Sequence, residues 1–211
     1  MPTTPVSLAA ADALARLREG NLRFVANVRS LEAIASQARR AELTSGQNPF
    51  AIVLGCSDSR VPAEIVFDQG LGDLFVIRVA GNIVAPSQVG SVEFAADRFG
   101  TRLVVVLGHT QCGAVLATLE QIQKPSEGAS PNLRSIVERI RPAVAPLVDT
   151  ELRRDPDALV SRAVRANVEA AVNQLRHGSE ILETLVREDG LRVVGAEYSL
   201  ETGVVDFFDE A

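Results

Sequence analysis

The stretch Phe50-Ala-Ile-Val-Leu-Gly-Cys-Ser-Asp-Ser-Arg60 decides the fold. Its first half, Phe50 to Gly55, is an unbroken apolar run. Such a run marks a strand covered on both faces, not one wetted on one side. Two runs of the same kind follow, Leu74-Phe-Val-Ile-Arg-Val79 and Leu103-Val-Val-Val-Leu107. Helical patterns separate them: Pro62 to Phe67, opened by a proline suited to a first turn, and Gln88 to Phe99, stopped at Gly100. Strands alternating with helices imply parallel pairing through crossovers. The expected class is α/β, a mostly parallel β-sheet flanked by helices.

Working outward, Gly113 to Gln123 reads as a helix, and Lys124 to Ser130 as a surface loop. Asn132 to Ile140, bounded by Pro131 and Pro142, and Asp157 to Arg187, with a break at Gly178, are also helical in pattern. Arg192 to Tyr198 and Val204 to Phe208 flank the turn Glu201-Thr-Gly203, which gives a C-terminal hairpin strand. Toward the N-terminus, Leu8 to Gly20 carries helix formers with apolar residues at helical spacing, and Gly20-Asn21 permits a break before Leu22, Phe24 and Val25. This helical arm, residues 1–45, suits packing on its own domain or on a neighbouring subunit. No linker divides the chain, so residues 1–211 are read as one domain with its core in 46–211.

Composition narrows the function. The 211 residues hold 21 Lys+Arg and 27 Asp+Glu, a net charge of −6, with Lys124 the only lysine. An acidic chain argues against non-specific binding to nucleic acid or an anionic membrane. No apolar run approaches a membrane span. Val6 to Ala15 lacks a preceding basic segment and contains Asp12, which argues against a secretory signal. Two cysteines make no disulfide framework, so a reducing, cytoplasmic setting is expected.

Both cysteines and one of the two histidines fall at strand ends. The first run ends in Gly55-Cys56-Ser-Asp58-Ser-Arg60, the third in Gly108-His109-Thr-Gln-Cys112-Gly113. Ligands in open α/β sheets collect at the carboxyl ends of parallel strands. Two thiolates and an imidazole suit zinc, and three protein ligands leave the open position of a catalytic site. Buried hydrophobic cysteines or a disulfide are the competing readings. Asp58 and Arg60 can make charge-assisted hydrogen bonds that keep the carboxylate ionised, either to serve a water at the open position or as a salt bridge that merely stabilises the loop.

The paired motifs Cys56-Ser-Asp58-Ser-Arg60 and His109-Thr-Gln-Cys112-Gly113 resemble those of the β-class carbonic anhydrases. The resemblance extends through Glu19-Gly-Asn-Leu-Arg-Phe24, Val61-Pro-Ala-Glu64, Gly72-Asp-Leu-Phe75, Arg78-Val-Ala-Gly-Asn82 and the closing hairpin. It implies one zinc per subunit on Cys56, His109 and Cys112, with Asp58 and Arg60 as a catalytic dyad. Asp58 would become the fourth ligand in a closed, inactive state. It also implies that Gln47, Phe75 and Gly113 lie at the substrate, carbon dioxide or bicarbonate. Val79 and Ala80 would add apolar wall. The family's partner is a second copy of the chain, so a homodimer or homotetramer is expected. One branch of the family has a further bicarbonate pocket of Trp, Arg and Tyr. Here Arg78 and Tyr198 match it, but Val53 stands at the Trp position and the chain has no Trp. With Gln47, this favours the plant-like branch.

The implied reaction is zinc-dependent, reversible hydration of carbon dioxide to bicarbonate and a proton. Two thiolates cancel the charge of zinc, whereas a three-histidine zinc keeps it and ionises water near pH 7. Activity should therefore rise above neutral pH. His177, the other histidine, reads as a solvated residue and not a proton shuttle. Hydrolysis of carbonyl sulfide or carbon disulfide on the same scaffold, and a non-catalytic zinc- or bicarbonate-sensing module, are the alternatives.

Overall fold

The computed structural model describes residues 8–28, 36–125 and 130–208. Parts of the N-terminal arm and residues 126–129 of the expected surface loop lie outside them. In chain order the elements are α1 (Ala10–Val25), α2 (Gln37–Leu43), β1 (Ala51–Gly55), α3 (Ala63–Val66), β2 (Leu74–Arg78), α4 (Pro86–Arg98), β3 (Leu103–His109), α5 (Gly113–Gln123), α6 (Pro131–Val148), α7 (Pro156–His177), α8 (Glu180–Glu188), β4 (Arg192–Tyr198) and β5 (Val205–Phe208). Short 3₁₀ turns cover Ala80–Asn82 and Glu151–Arg154.

The sheet order is β2-β1-β3-β4-β5, the first four strands parallel and β5 antiparallel to β4. The first and third apolar runs became the fully buried strands β1 and β3, covered by helices on both faces, while the second became the edge strand β2, which is only partly buried. Val53, Val105, Leu107 and Val194 meet Leu14, Leu17 and Phe67 on one side. Ile52, Leu54, Val104 and Val106 meet Val92, Val168, Val172 and Leu182 on the other. From β1 the chain adds β2 on one side and then crosses to place β3 on the other. That makes the carboxyl ends of β1 and β3 the switch point where ligand crevices form.

Two local readings need correction. Gly20 does not break α1, which runs on to Val25. A Cβ at Gly20 would stand 1.8 Å from the Phe67 carbonyl oxygen, so the glycine serves a close approach. Within the expected helical arm, residues 37–43 form α2, capped by Ser36 accepting from Arg39 N–H. The helix expected to stop at Ile140 continues to Val148 through Pro142 and Pro146. Both prolines sit on the exposed face, where water can take the freed carbonyls, while Ile140 and Val144 stay buried opposite. By contrast, Gly178 ends α7 as expected, and His177 is exposed in its last turn.

Candidate metal centre

Cys56 is the first residue past β1, His109 the last of β3, and Cys112 the N-cap of α5. Neighbouring parallel strands thus carry all three to one place. Their ligating atoms lie within 4.8 Å of one another, and all three residues are buried. The two sulfurs are 4.0 Å apart. Tetrahedral zinc with Zn–S bonds of about 2.3 Å separates sulfurs by about 3.8 Å, whereas a disulfide needs about 2.05 Å. Both cysteines are free. His109 Nδ1 is 2.9 Å from the Thr110 carbonyl oxygen. A carbonyl only accepts, so Nδ1 carries the proton and Nε2 is left with a lone pair. That Nε2 is buried and has no hydrogen-bond partner among the described residues. A buried acceptor held beside two sulfurs fits a zinc ion.

The thiols share their charge unequally in the metal-free chain. The hydrogen bond with Cys112 pulls the Cys56 thiol down to about 4, aided by His109 and by the Gly81 and Asp58 backbone amides, against the opposing effect of burial. The same hydrogen bond pushes Cys112 well above the ordinary thiol range, with burial adding to the effect. The backbone amides of Ala114 and Val115, at the start of α5, oppose that rise. The pair therefore holds one negative charge readily, and the second proton leaves when a cation compensates it.

Asp58 faces Arg60, not the sulfurs. Arg60 donates through Nε to Oδ1 at 2.9 Å, through Nη2 to Oδ2 at 2.7 Å, and through its backbone N–H to Oδ1 at 3.0 Å. These bonds, with the Arg60 side chain foremost, hold the carboxyl well below the usual carboxylate range. Asp58 Oδ2 stands 3.9 Å from His109 Nε2. Arg78, which the sequence matched to the Arg of a second bicarbonate pocket, donates to the carbonyls of Cys56 (3.0 Å) and Asp58 (2.6 Å), and so braces the loop that carries both.

The five substrate-pocket candidates divide by strand polarity. Val79 and Ala80 follow β2 at the ligand end, where Val79 N–H donates to Gly55 O at 3.1 Å and Ser57 N–H to Val79 O at 3.3 Å. Ala80 and Gly113 both line a groove of about 370 Å³ between α5 and α6, with Ala114, Ala117, Ile136 and Val137. Phe75 instead pairs with Ile52, four residues before Cys56 and so about 13 Å away along the strand. Its ring packs with Phe94 and Phe99. Gln47 precedes β1 and lines a separate hollow with Arg40, Thr44 and Ser45. Within one chain, neither reaches the Cys-His-Cys group.

Comparison with known proteins agrees with this geometry. The carbonic anhydrase family profile matches residues 51–205. Carbonic anhydrase 2 of Mycobacterium tuberculosis is 41% identical over 189 residues, covering 89% of this chain and 87% of that protein. The carbonic anhydrase of Mycolicibacterium smegmatis is 41% identical over 192 residues, covering 90% and 89%. Among solved structures, a β-carbonic anhydrase of Sordaria macrospora, described as tetrameric, superposes with a TM-score of 0.71 at 27% identity, covering 81% of this chain and 85% of that one. Neither the carbonyl sulfide or carbon disulfide hydrolase nor the sensing module gains support. The chain belongs to the β-class carbonic anhydrases and catalyses the reversible hydration of carbon dioxide to bicarbonate.

Proposed function

We propose that Cys56, His109 and Cys112 hold one zinc ion per subunit and that Asp58 and Arg60 are the dyad serving it. The observation that carries this is the bare, buried Nε2 of His109 facing two free sulfurs 4.0 Å apart. The chemistry a bound zinc supplies there is Lewis-acid activation of water for attack on carbon dioxide. Asp58, ionised and fixed by Arg60, accepts the hydrogen bond of a water standing before the trio, which aims the water's remaining lone pair at the carbon. Both carboxylate oxygens are occupied by Arg60, which favours the open state; Asp58 becomes a fourth ligand only if that bidentate pair opens. Val79, Ala80 and Gly113 present apolar or side-chain-free surface suited to an apolar gas.

Gln47 and Phe75 act at the site of a second copy, which explains why they lie at the far end of their own sheet. The tetrameric description of the Sordaria relative supports a homo-oligomer. So do exposed Leu22 and Val25 on α1 and Phe94 on α4. Arg78 is committed to loop carbonyls and Tyr198 is buried against Phe24, which supports the branch without a second bicarbonate pocket. Among the described residues no helix is long and apolar enough to cross a membrane. Two reduced cysteines support a cytoplasmic location. Stopped-flow hydration of carbon dioxide by Asp58→Asn tests the dyad. The expected loss is about 100-fold or more with zinc retained; a wild-type rate would remove Asp58 from the mechanism.

A further inference from the structure

Helix α7 buries Ala163, Val164, Ala166, Val168, Ala171, Val172 and Leu175, and among them sits a buried amide, Asn167, 4% exposed, whereas Asn173 and Gln174 face out. A polar side chain in such a place is costly unless bonded. Its Nδ2 donates to the Gly81 carbonyl oxygen at 2.8 Å, across 86 residues of sequence. Gly81 in turn donates its own N–H to Cys56 Sγ at 3.3 Å. The turn that allows this is tightly specified. Gly81 has φ +70°, and a Cβ there would meet Ile140 Cδ1 at 2.7 Å and Ala114 Cβ at 3.0 Å. Asn82, next in the chain, is also left-handed at φ +41° and donates its N–H to Val79 O at 3.0 Å.

We propose that Asn167 is a positioning residue for the metal centre. By holding the Gly81 carbonyl it fixes the Gly81–Asn82 peptide, whose N–H is bonded to Val79 O, and so holds the left-handed turn at Gly81 that leaves the Gly81 N–H, in the preceding peptide, pointing at the Cys56 sulfur. That hydrogen bond fixes the sulfur and spreads its negative charge, which sets how tightly and with what character Cys56 binds metal. Groups one step removed from metal ligands commonly change metal affinity by about 10–100-fold when removed. No group at Asn167 or Gly81 titrates, so the device works at all pH values at which the thiolate exists. It rests on the zinc reading given above.

The test uses the full-length enzyme in three forms. Asn167→Leu keeps the bulk and removes the donor, Asn167→Ala removes both, and Val172→Ala loosens the same helix without touching Gly81. Zinc affinity is measured by chelator competition, and thiolate-to-metal absorption is recorded on the cobalt(II) forms. Both Asn167 variants are expected to lose about 10-fold or more in zinc affinity and to shift the cobalt–thiolate bands. Val172→Ala is expected to melt earlier with both readouts unchanged. Affinities within twofold of wild type and superimposable bands in the Asn167 variants would overturn the proposal. Should the variants not fold, the cadmium-113 form of the wild type still decides. A through-bond correlation from the Gly81 amide proton to cadmium, together with one from the Asn167 side-chain amide across its hydrogen bond to the Gly81 carbonyl carbon, supports the link, and the absence of either refutes it. A wild-type protein that binds no metal at all overturns the zinc reading and this inference together; metal bound with no effect of Asn167 overturns the inference alone.

Discussion

Replacing Gly20 by alanine sets two physical effects against each other, and their sizes decide the outcome. Alanine is the better helix former by about 1 kcal/mol, and α1 already runs through this position, so propensity alone forecasts a more stable protein. The structure forecasts the reverse. The new Cβ would lie 1.8 Å from the Phe67 carbonyl oxygen and 2.8 Å from Gln69 Nε2. An ordinary contact needs roughly 3.2 Å or more, so α1 must retreat by more than about 1 Å. Overpacking of this kind costs about 1–3 kcal/mol. The retreat also strains Asn21 beside it, which donates to Val66 O at 3.1 Å and Gly203 O at 2.9 Å and accepts from Val205 N–H at 2.9 Å. Losing these bonds adds about 2–3 kcal/mol. The net expectation is destabilisation by about 2–5 kcal/mol, which for a chain of this size lowers Tm by roughly 5–20 °C. Thermal unfolding of the purified proteins, followed by circular dichroism, gives the answer. A variant that melts at or above the wild-type temperature would refute the close-approach argument and restore the propensity view.

Other expectations follow from the site. Because two thiolates neutralise zinc, hydration activity should climb above neutral pH, and a rate flat from pH 6 to 9 on a scale of about tenfold would contradict the charge count. Glu197 is half-buried, and burial raises its carboxyl above the ordinary value. A raised carboxyl stabilises the fold below its unfolded pKa and loses that contribution as pH rises through the folded value. Glu197→Gln should therefore gain stability relative to wild type at pH 7 and not at pH 4, as read from urea unfolding at both. Arg78→Ala frees the carbonyls of Cys56 and Asp58, so activity should fall about tenfold or more with zinc still bound; unchanged activity would remove its bracing role. If Gln47 serves a neighbouring subunit, mixing inactive Gln47→Ala with inactive Asp58→Asn chains should restore part of the activity. No recovery in mixed oligomers would place Gln47 outside the site.

What the sequence revealed and what it hid divide along physical lines. Strands β1 and β3 were legible because burial on both faces writes a continuous apolar run, and such runs need no long-range information; β2 carries a similar run although, at the sheet edge, it is only partly buried. The Cys-His-Cys group was legible because Cys56 follows β1, His109 ends β3 and Cys112, three residues after His109, caps the next helix, so the adjacency of two strands and one short turn bring them together. Gln47 and Phe75 were read as part of the same pocket, yet parallel strands carry them to the opposite end of the sheet. The proposed arrangement of several chains would reconcile the two. Gly20 looked like a helix stop because its contact partner, the Phe67 carbonyl, lies 47 residues away. Pro142 looked like a boundary because a sequence does not show which face water will reach. Asn167 was invisible for the same reason, since nothing near it in the chain indicates that its amide meets Gly81.

The central claim is that this carbonic anhydrase works through zinc held by Cys56, His109 and Cys112. Zinc-edge X-ray absorption on purified protein active in carbon dioxide hydration tests it directly. The expected result is one zinc per chain with two sulfur neighbours at about 2.3 Å and one imidazole nitrogen at about 2.0 Å. An active protein without stoichiometric zinc, or a zinc shell with no sulfur in it, would contradict the account.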